Sequence, residues 1–129
     1  MATQLFRSKP SSRGYATVDL STAADGVSRS INISGLTLSS IQMSTAWTDA
    51  TIGFQASVDG STNYYPVYNT AGDHLTYLTS ANRVVVFDPL IFAGLQHIQL
   101  VSKTTAGVAV AQAAARTLVI GLAEVAQAD

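Results

Sequence analysis

The chain has 129 residues, 47% hydrophobic and only 12% charged, with seven basic residues against eight acidic ones and a formal net charge of −1. That length suits one domain able to bury a core unaided, and the absence of cysteine excludes disulfides and thiolate metal sites. With no block of like charge, nothing points to nucleic acid or a charged membrane as partner, and no run reaches the ~18 apolar residues of a membrane span.

The first residues, MATQLFRSKPSSRGY, lack an apolar stretch of signal-peptide length, so the expectation is a chain made in a cytoplasm. Residues 1–14 read as an extended arm: Arg7, Lys9 and Arg13 are three of the seven basic residues, and Pro10, Ser11, Ser12 and Gly14 discourage regular structure. Such a segment is either a frayed terminus or an arm that orders on a neighbouring subunit, with Phe6 as anchor and the three cations against acidic groups.

From residue 15 to 129 the pattern is one β-sandwich domain of short strands. Residues 16–20 and 29–33 read as strands separated by a turn at 21–26. Residues 38–47 alternate, with Ile41, Met43, Thr45 and Trp47 facing inward. Residues 51–58 alternate again through Ile52, Phe54, Ala56 and Val58, and Asp59-Gly60 then marks a hairpin bend before the aromatic run 64–68. Residues 75–79 and 83–87 follow as strands. Asp88-Pro89-Leu90-Ile91-Phe92 reads as a helical turn, with Asp88 as cap and Pro89 at its first position. Residues 96–102 place Ile98 and Leu100 inward, 105–115 read as a long loop, and 116–124 close the set through Leu118, Ile120 and Leu122. Eight or nine short antiparallel strands at this spacing predict an all-β, jelly-roll-like sandwich, with Trp47, Phe54, Phe87 and Phe92 supplying the bulk of its core.

Chemistry-bearing constellations are sparse. His74 and His97 are the only histidines and are far apart in sequence, a poor basis for zinc. No G-x-S-x-G and no glycine-rich phosphate loop is present. Asp25, Asp49, Asp59 and Asp73 all fall in turns, where Asp bonds local amides. Asp59-Gly60-Ser61-Thr62-Asn63 offers oxygen ligands but lacks the downstream Glu of an EF-hand loop. Asn32-Ile33-Ser34 fits a glycosylation sequon but lies within a strand. The expectation is therefore no enzyme, no metal and no cofactor. The low charge has two open readings: a Ser- and Thr-rich β surface, or a surface largely covered by other subunits. Tyr64, Tyr65, Tyr68 and Tyr77 divide similarly among an aromatic pair shielding the sheet, a protein contact, and a sugar-stacking platform. Tyr64 and Tyr65 point to opposite strand faces, so one of them is expected to be exposed.

Residues 41–122 carry a resemblance. The stretch Trp47-Thr48-Asp49-Ala50-Thr51-Ile52-Gly53-Phe54-Gln55-Ala56-Ser57-Val58-Asp59-Gly60-Ser61, the tyrosine-rich strand after it, the later Asp88-Pro89-Leu90-Ile91-Phe92-Ala93-Gly94, and the closing Gln112 to Leu122 with Arg116-Thr117-Leu118 resemble small structural proteins of tailed bacteriophages. The resemblance covers about two-thirds of the chain and implies a jelly-roll or related β-sandwich that serves as a capsid decoration (cement) protein. It further implies a major capsid protein as partner, residence on the virion surface, and association as a dimer or trimer. Phe6, Arg7, Lys9, Arg13, Tyr64, Tyr65 and Tyr68 are then the candidate contacts. The alternative from the residues alone is a carbohydrate-binding module in host recognition, built on Tyr65 or Tyr68 near Asp59 and Asn63.

Overall fold

The computed structural model describes residues 13–20, 26–33, 35–60 and 63–124. Among them are nine strands: β1 (Arg13–Leu20), β2 (Ile31–Asn32), β3 (Thr37–Gln42), β4 (Thr51–Ser57), β5 (Tyr65–Pro66), β6 (Thr76–Tyr77), β7 (Val84–Val86), β8 (His97–Lys103) and β9 (Arg116–Ala123). They form two antiparallel sheets. The four-stranded sheet has the order β1-β9-β3-β7; the five-stranded sheet has the order β2-β8-β4-β5, with β6 also on β4. The chain is an all-β sandwich. No helix among the described residues is long and apolar enough to cross a membrane.

Period-two alternation puts one face of each sheet into a shared interior. Ile41, Met43, Ile52, Phe54, Phe87, Phe92, Ile98, Leu100, Leu118 and Ile120 are all buried there. Each large side chain among them contributes roughly 1.5–3 kcal/mol by leaving water. Phe54 stands at the centre, with ring centroids of Phe92, Phe87 and Tyr77 at 4.9, 5.9 and 6.0 Å in edge-to-face geometry, the arrangement that aromatic quadrupoles prefer.

Three inward expectations need correction. Val58 is 72% exposed, because β4 ends at Ser57 and the chain bends away before the next inward position. Thr45 is exposed and Trp47 only half-buried, because β3 ends at Gln42 and the alternation beyond it belongs to no sheet. Trp47 lies against the rim of the core, its indole N–H donating to Ala50 O at 3.1 Å. Leu122, near the end of β9, is half-buried against the same cluster.

The 3₁₀ turn Pro89–Phe92 forms where the sequence places it: the Asp88 carboxylate accepts from Leu90 N–H at 3.0 Å, and Phe92 is buried beneath the turn. The segment 105–115 is a loop that touches β8 through a Lys103–Ala109 bridge. β4 and β5 pair Ala56 with Tyr65, so the connection spans residues 57–64 and is longer than a two-residue hairpin. Its Gly60 has φ +77°, and a Cβ there would come within 2.6 Å of His97 Nε2. Gly is therefore required at this bend both by backbone conformation and by the imidazole above it.

Candidate functional site

The two outer faces of the sandwich are unlike each other. On the four-stranded sheet, register carries one row of side chains from Tyr15 through Gly121 and Ser40 to Val86. The next row runs Thr17, Val119, Gln42, Val84. Neither row contains a charge. Tyr15, Thr17, Gln42, Val84 and Val86 are exposed, and Ser40, Val119 and Gly121 are partly so. The middle of the face is shallow, since a Cβ on Gly121 would meet Ser40 Oγ, while Tyr15 and Val86 stand up at the two edges, 78% and 76% exposed. Asp19, in the row beyond, has its carboxylate accepting from the Thr117 hydroxyl at 2.7 Å.

The outer face of the five-stranded sheet is covered by its own chain. Lys103, at the end of β8, is only 3% exposed. Its side chain lies across Gly53 of β4, where a Cβ would collide with Lys103 Cε. Its Nζ sits 3.1 Å from His74 Nδ1, and His74 Nε2 sits 3.1 Å from the Tyr68 hydroxyl. The His74 ring stacks on Tyr68 at 4.4 Å and occupies the space a Cβ on Gly107 would need. A Lys103 ammonium donates to Nδ1, which fixes the Nε2–H tautomer and makes the Tyr68 oxygen the acceptor. Burial pushes the Lys103 amine below its ordinary value, as removal from water disfavours the charged form. Burial first, and the Asp88 carboxylate second, push the Tyr77 hydroxyl up.

The segment expected to be an arm is only partly described. Phe6, Arg7 and Lys9 lie outside the described residues, whereas Arg13 belongs to β1, opposite Ala123 of β9. Strand pairing therefore starts inside the segment read as an arm. Tyr64 is half-buried and hydrogen-bonds Ser30 Oγ, while Tyr65 is 68% exposed, so the two divide between faces as their adjacency requires. Tyr68 is 53% exposed and committed to His74. Tyr65, Asp59 and Asn63 line one open hollow together with Val58, Pro66 and Leu95. The two imidazoles are not brought together: His97 opens β8, and His74 bonds the side-chain amine of the residue that closes it. No group of three or more His, Asp or Glu side chains suited to a metal is found among the described residues.

Sequence reasoning missed two polar clusters. Lys103 reads as an ordinary solvated strand end; its only local signal is Gly53 in the neighbouring strand, a gap that another side chain can fill. Gln112 is 3% exposed and satisfies all of its main bonding directions. Its Nε2 donates to Thr48 O at 3.0 Å and Ser102 Oγ at 2.8 Å, and its Oε1 accepts from Thr48 N–H at 2.7 Å and Arg116 Nε at 3.1 Å. This cluster ties the long loop to the turn that enters β4.

No family model matches the chain, and neither does any curated protein or solved structure.

Proposed function

We propose that this chain is a structural protein that docks onto an assembled protein lattice, acting as a capsid decoration protein of the phage-head type. The observation that carries the reading is the pair of exposed, charge-free rows across the outer face of the four-stranded sheet, Tyr15 to Val86 and Thr17 to Val84, with Asp19 in the row beyond. Interface centres are depleted in charge and enriched in aromatic side chains, and Tyr15 supplies an aromatic anchor at one edge of this face. The opposite face is filled by the chain's own Lys103 and His74, which leaves the four-stranded sheet as the broad face for a partner. The phage-like pattern of residues 47–61 and 88–94 supports the same reading.

Function on this account is mechanical. Binding to the assembled shell and not to its dissociated parts stabilises the shell by mass action, and repetition over many equivalent positions adds up a modest contact. Purified protein mixed with undecorated phage heads should co-sediment with them and raise their melting temperature. Tyr15→Asp should abolish both effects while leaving the melting of the free protein unchanged. Heads that neither bind the chain nor shift in melting would overturn the proposal.

A second reading, a carbohydrate-binding module, is favoured by one observation: exposed Tyr65 shares a hollow with Asp59 and Asn63, the pairing of a stacking ring with polar groups that sugar recognition uses. A glycan array that lights up with the parent and fades with Tyr65→Ala would support it; a blank array with the parent would remove it.

A further inference from the structure

The outer face of the four-stranded sheet ends in a notch. β3 leaves the sheet after Gln42, which lies opposite Val119, so residues 116–118 of β9 have β1 alone as neighbour. Beyond Gln42 the chain follows the segment that leads into β7: Met43 N–H donates to Arg83 O at 2.8 Å, and Ser44 O accepts from Asn82 N–H at 3.0 Å. Met43 thus turns its backbone groups away from β9, and Gln42 and Val119 turn theirs toward each other. Alternation then aims the N–H and C=O of Thr117 into the gap that β3 has left. No hydrogen bond closes on them there among the described residues. The gap is an open hollow of about 400 Å³, and Gln42 and Val119 belong both to it and to the charge-free row Thr17 to Val84. Arg116 is the single charged residue that lines it. Its Nε donates to Gln112 Oε1 and its Nη2 to Thr48 Oγ1, both at 3.1 Å. These bonds leave the N–H groups of Nη1 unused, and no carboxylate bonds the guanidinium among the described residues. Asp19, in the row beyond, accepts from the Thr117 hydroxyl and does not line the hollow.

We infer that this notch is a carboxylate site, filled by an acidic side chain of the protein that docks on the face; the source of that side chain rests on the docking reading above. Chemistry selects the ligand. A guanidinium with unused donors matches the oxygens of a carboxylate, and the Thr117 N–H adds a neutral donor on the same gap. Continuity with the face selects the source. A partner that covers Gln42 and Val119 also takes water from the hollow they share with Arg116. Covering a cation without a counter-charge is strongly unfavourable. No lining residue supplies one, so the partner has to. The site gives an otherwise uncharged contact its position: the rows of hydroxyl and apolar side chains adhere, and one ion pair fixes where.

The site can be tested on the free protein and on heads. In nitrogen–proton correlation spectra at constant ionic strength, acetate should shift the Thr117 amide and the Arg116 Nε–H saturably, and chloride should not. Arg116 also holds the long loop, which makes Thr45 the cleaner position to vary. Thr45 is exposed and lines the hollow, so Thr45→Glu supplies a resident carboxylate. That variant should keep the parent's circular dichroism, lose the acetate response, and bind undecorated heads about tenfold or more weakly. Thr45→Gln, of the same size and uncharged, should keep both the acetate response and the parent's affinity for heads. Acetate that moves neither signal, a response to chloride or to inorganic phosphate alone, or Thr45→Glu binding heads as the parent does would overturn the inference. A parent that saturates with acetate yet leaves heads unbound would overturn the docking reading and the acidic partner with it, and leave the carboxylate site standing.

Discussion

Burial of the Lys103 amine disfavours its charged form and holds it below its ordinary value of 10.5. Between the lowered folded value and 10.5 the unfolded chain binds the extra proton, so stability climbs with pH through that window and levels off above it. Tyr77 acts in the opposite sense: its folded value is raised above 10.0, so the unfolded chain ionises first and stability falls from there upward. Urea titrations should show a midpoint that rises with pH through the Lys103 window below 10.5 and declines once Tyr77 begins to ionise in the unfolded chain, above about pH 10. Lys103→Met should remove the rise and keep the decline; an equal rise in that variant would contradict the assignment. The contrast with Asp88 shows what could be read from the sequence at this scale. Asp88 caps a turn two residues away, and Asp-Pro states that locally. The burial of Lys103 depends on Gly53 in another strand and on His74 in another loop, and no short window contains all three.

At the scale of elements, the strands were legible because burial on one face imposes period two, and β3, β4, β8 and β9 each overlap a stretch of that alternation. Their ends were less so. The pattern through Thr45 and Val58 continues past the points where β3 and β4 leave their sheets, and hydrophobic alternation carries no marker for the last backbone pairing. The loop 105–115 was recognisable as a loop but not as an anchored one, since Gln112 and Thr48 are 64 residues apart. Gln112→Leu leaves the Thr48 amide and carbonyl without this partner inside the fold. It should cost about 2–4 kcal/mol, measured by urea unfolding, with hydrogen exchange accelerating in the loop before the sheets open. A loss below about 0.5 kcal/mol would show that the loop is held by other contacts.

For the molecule as a whole, cooperativity is expected to centre on Phe54, which touches aromatic rings from β6, from the residue after β7 and from the 3₁₀ turn. Phe54→Ala should lower stability by roughly 3–5 kcal/mol in a single transition, whereas Val58→Ser should stay within about 0.5 kcal/mol. Thermal melts of the two variants side by side test the interior directly, and equal melting would refute it. The sandwich was inferable from strand count and spacing, but sheet membership was not, because β9 inserts between β1 and β3. That insertion has a consequence for biosynthesis. The five-stranded layer has all its strands once Lys103 has left the ribosome, while the other layer lacks its middle member until residues 116–123 emerge. During that interval Leu38 and Ile41 have no neighbouring strand on one side, and Val18 and Leu20 of β1 have no partner strand in their sheet at all. Slow translation or early termination before β9 should therefore yield a half-built nascent chain that is prone to aggregate and dependent on chaperones.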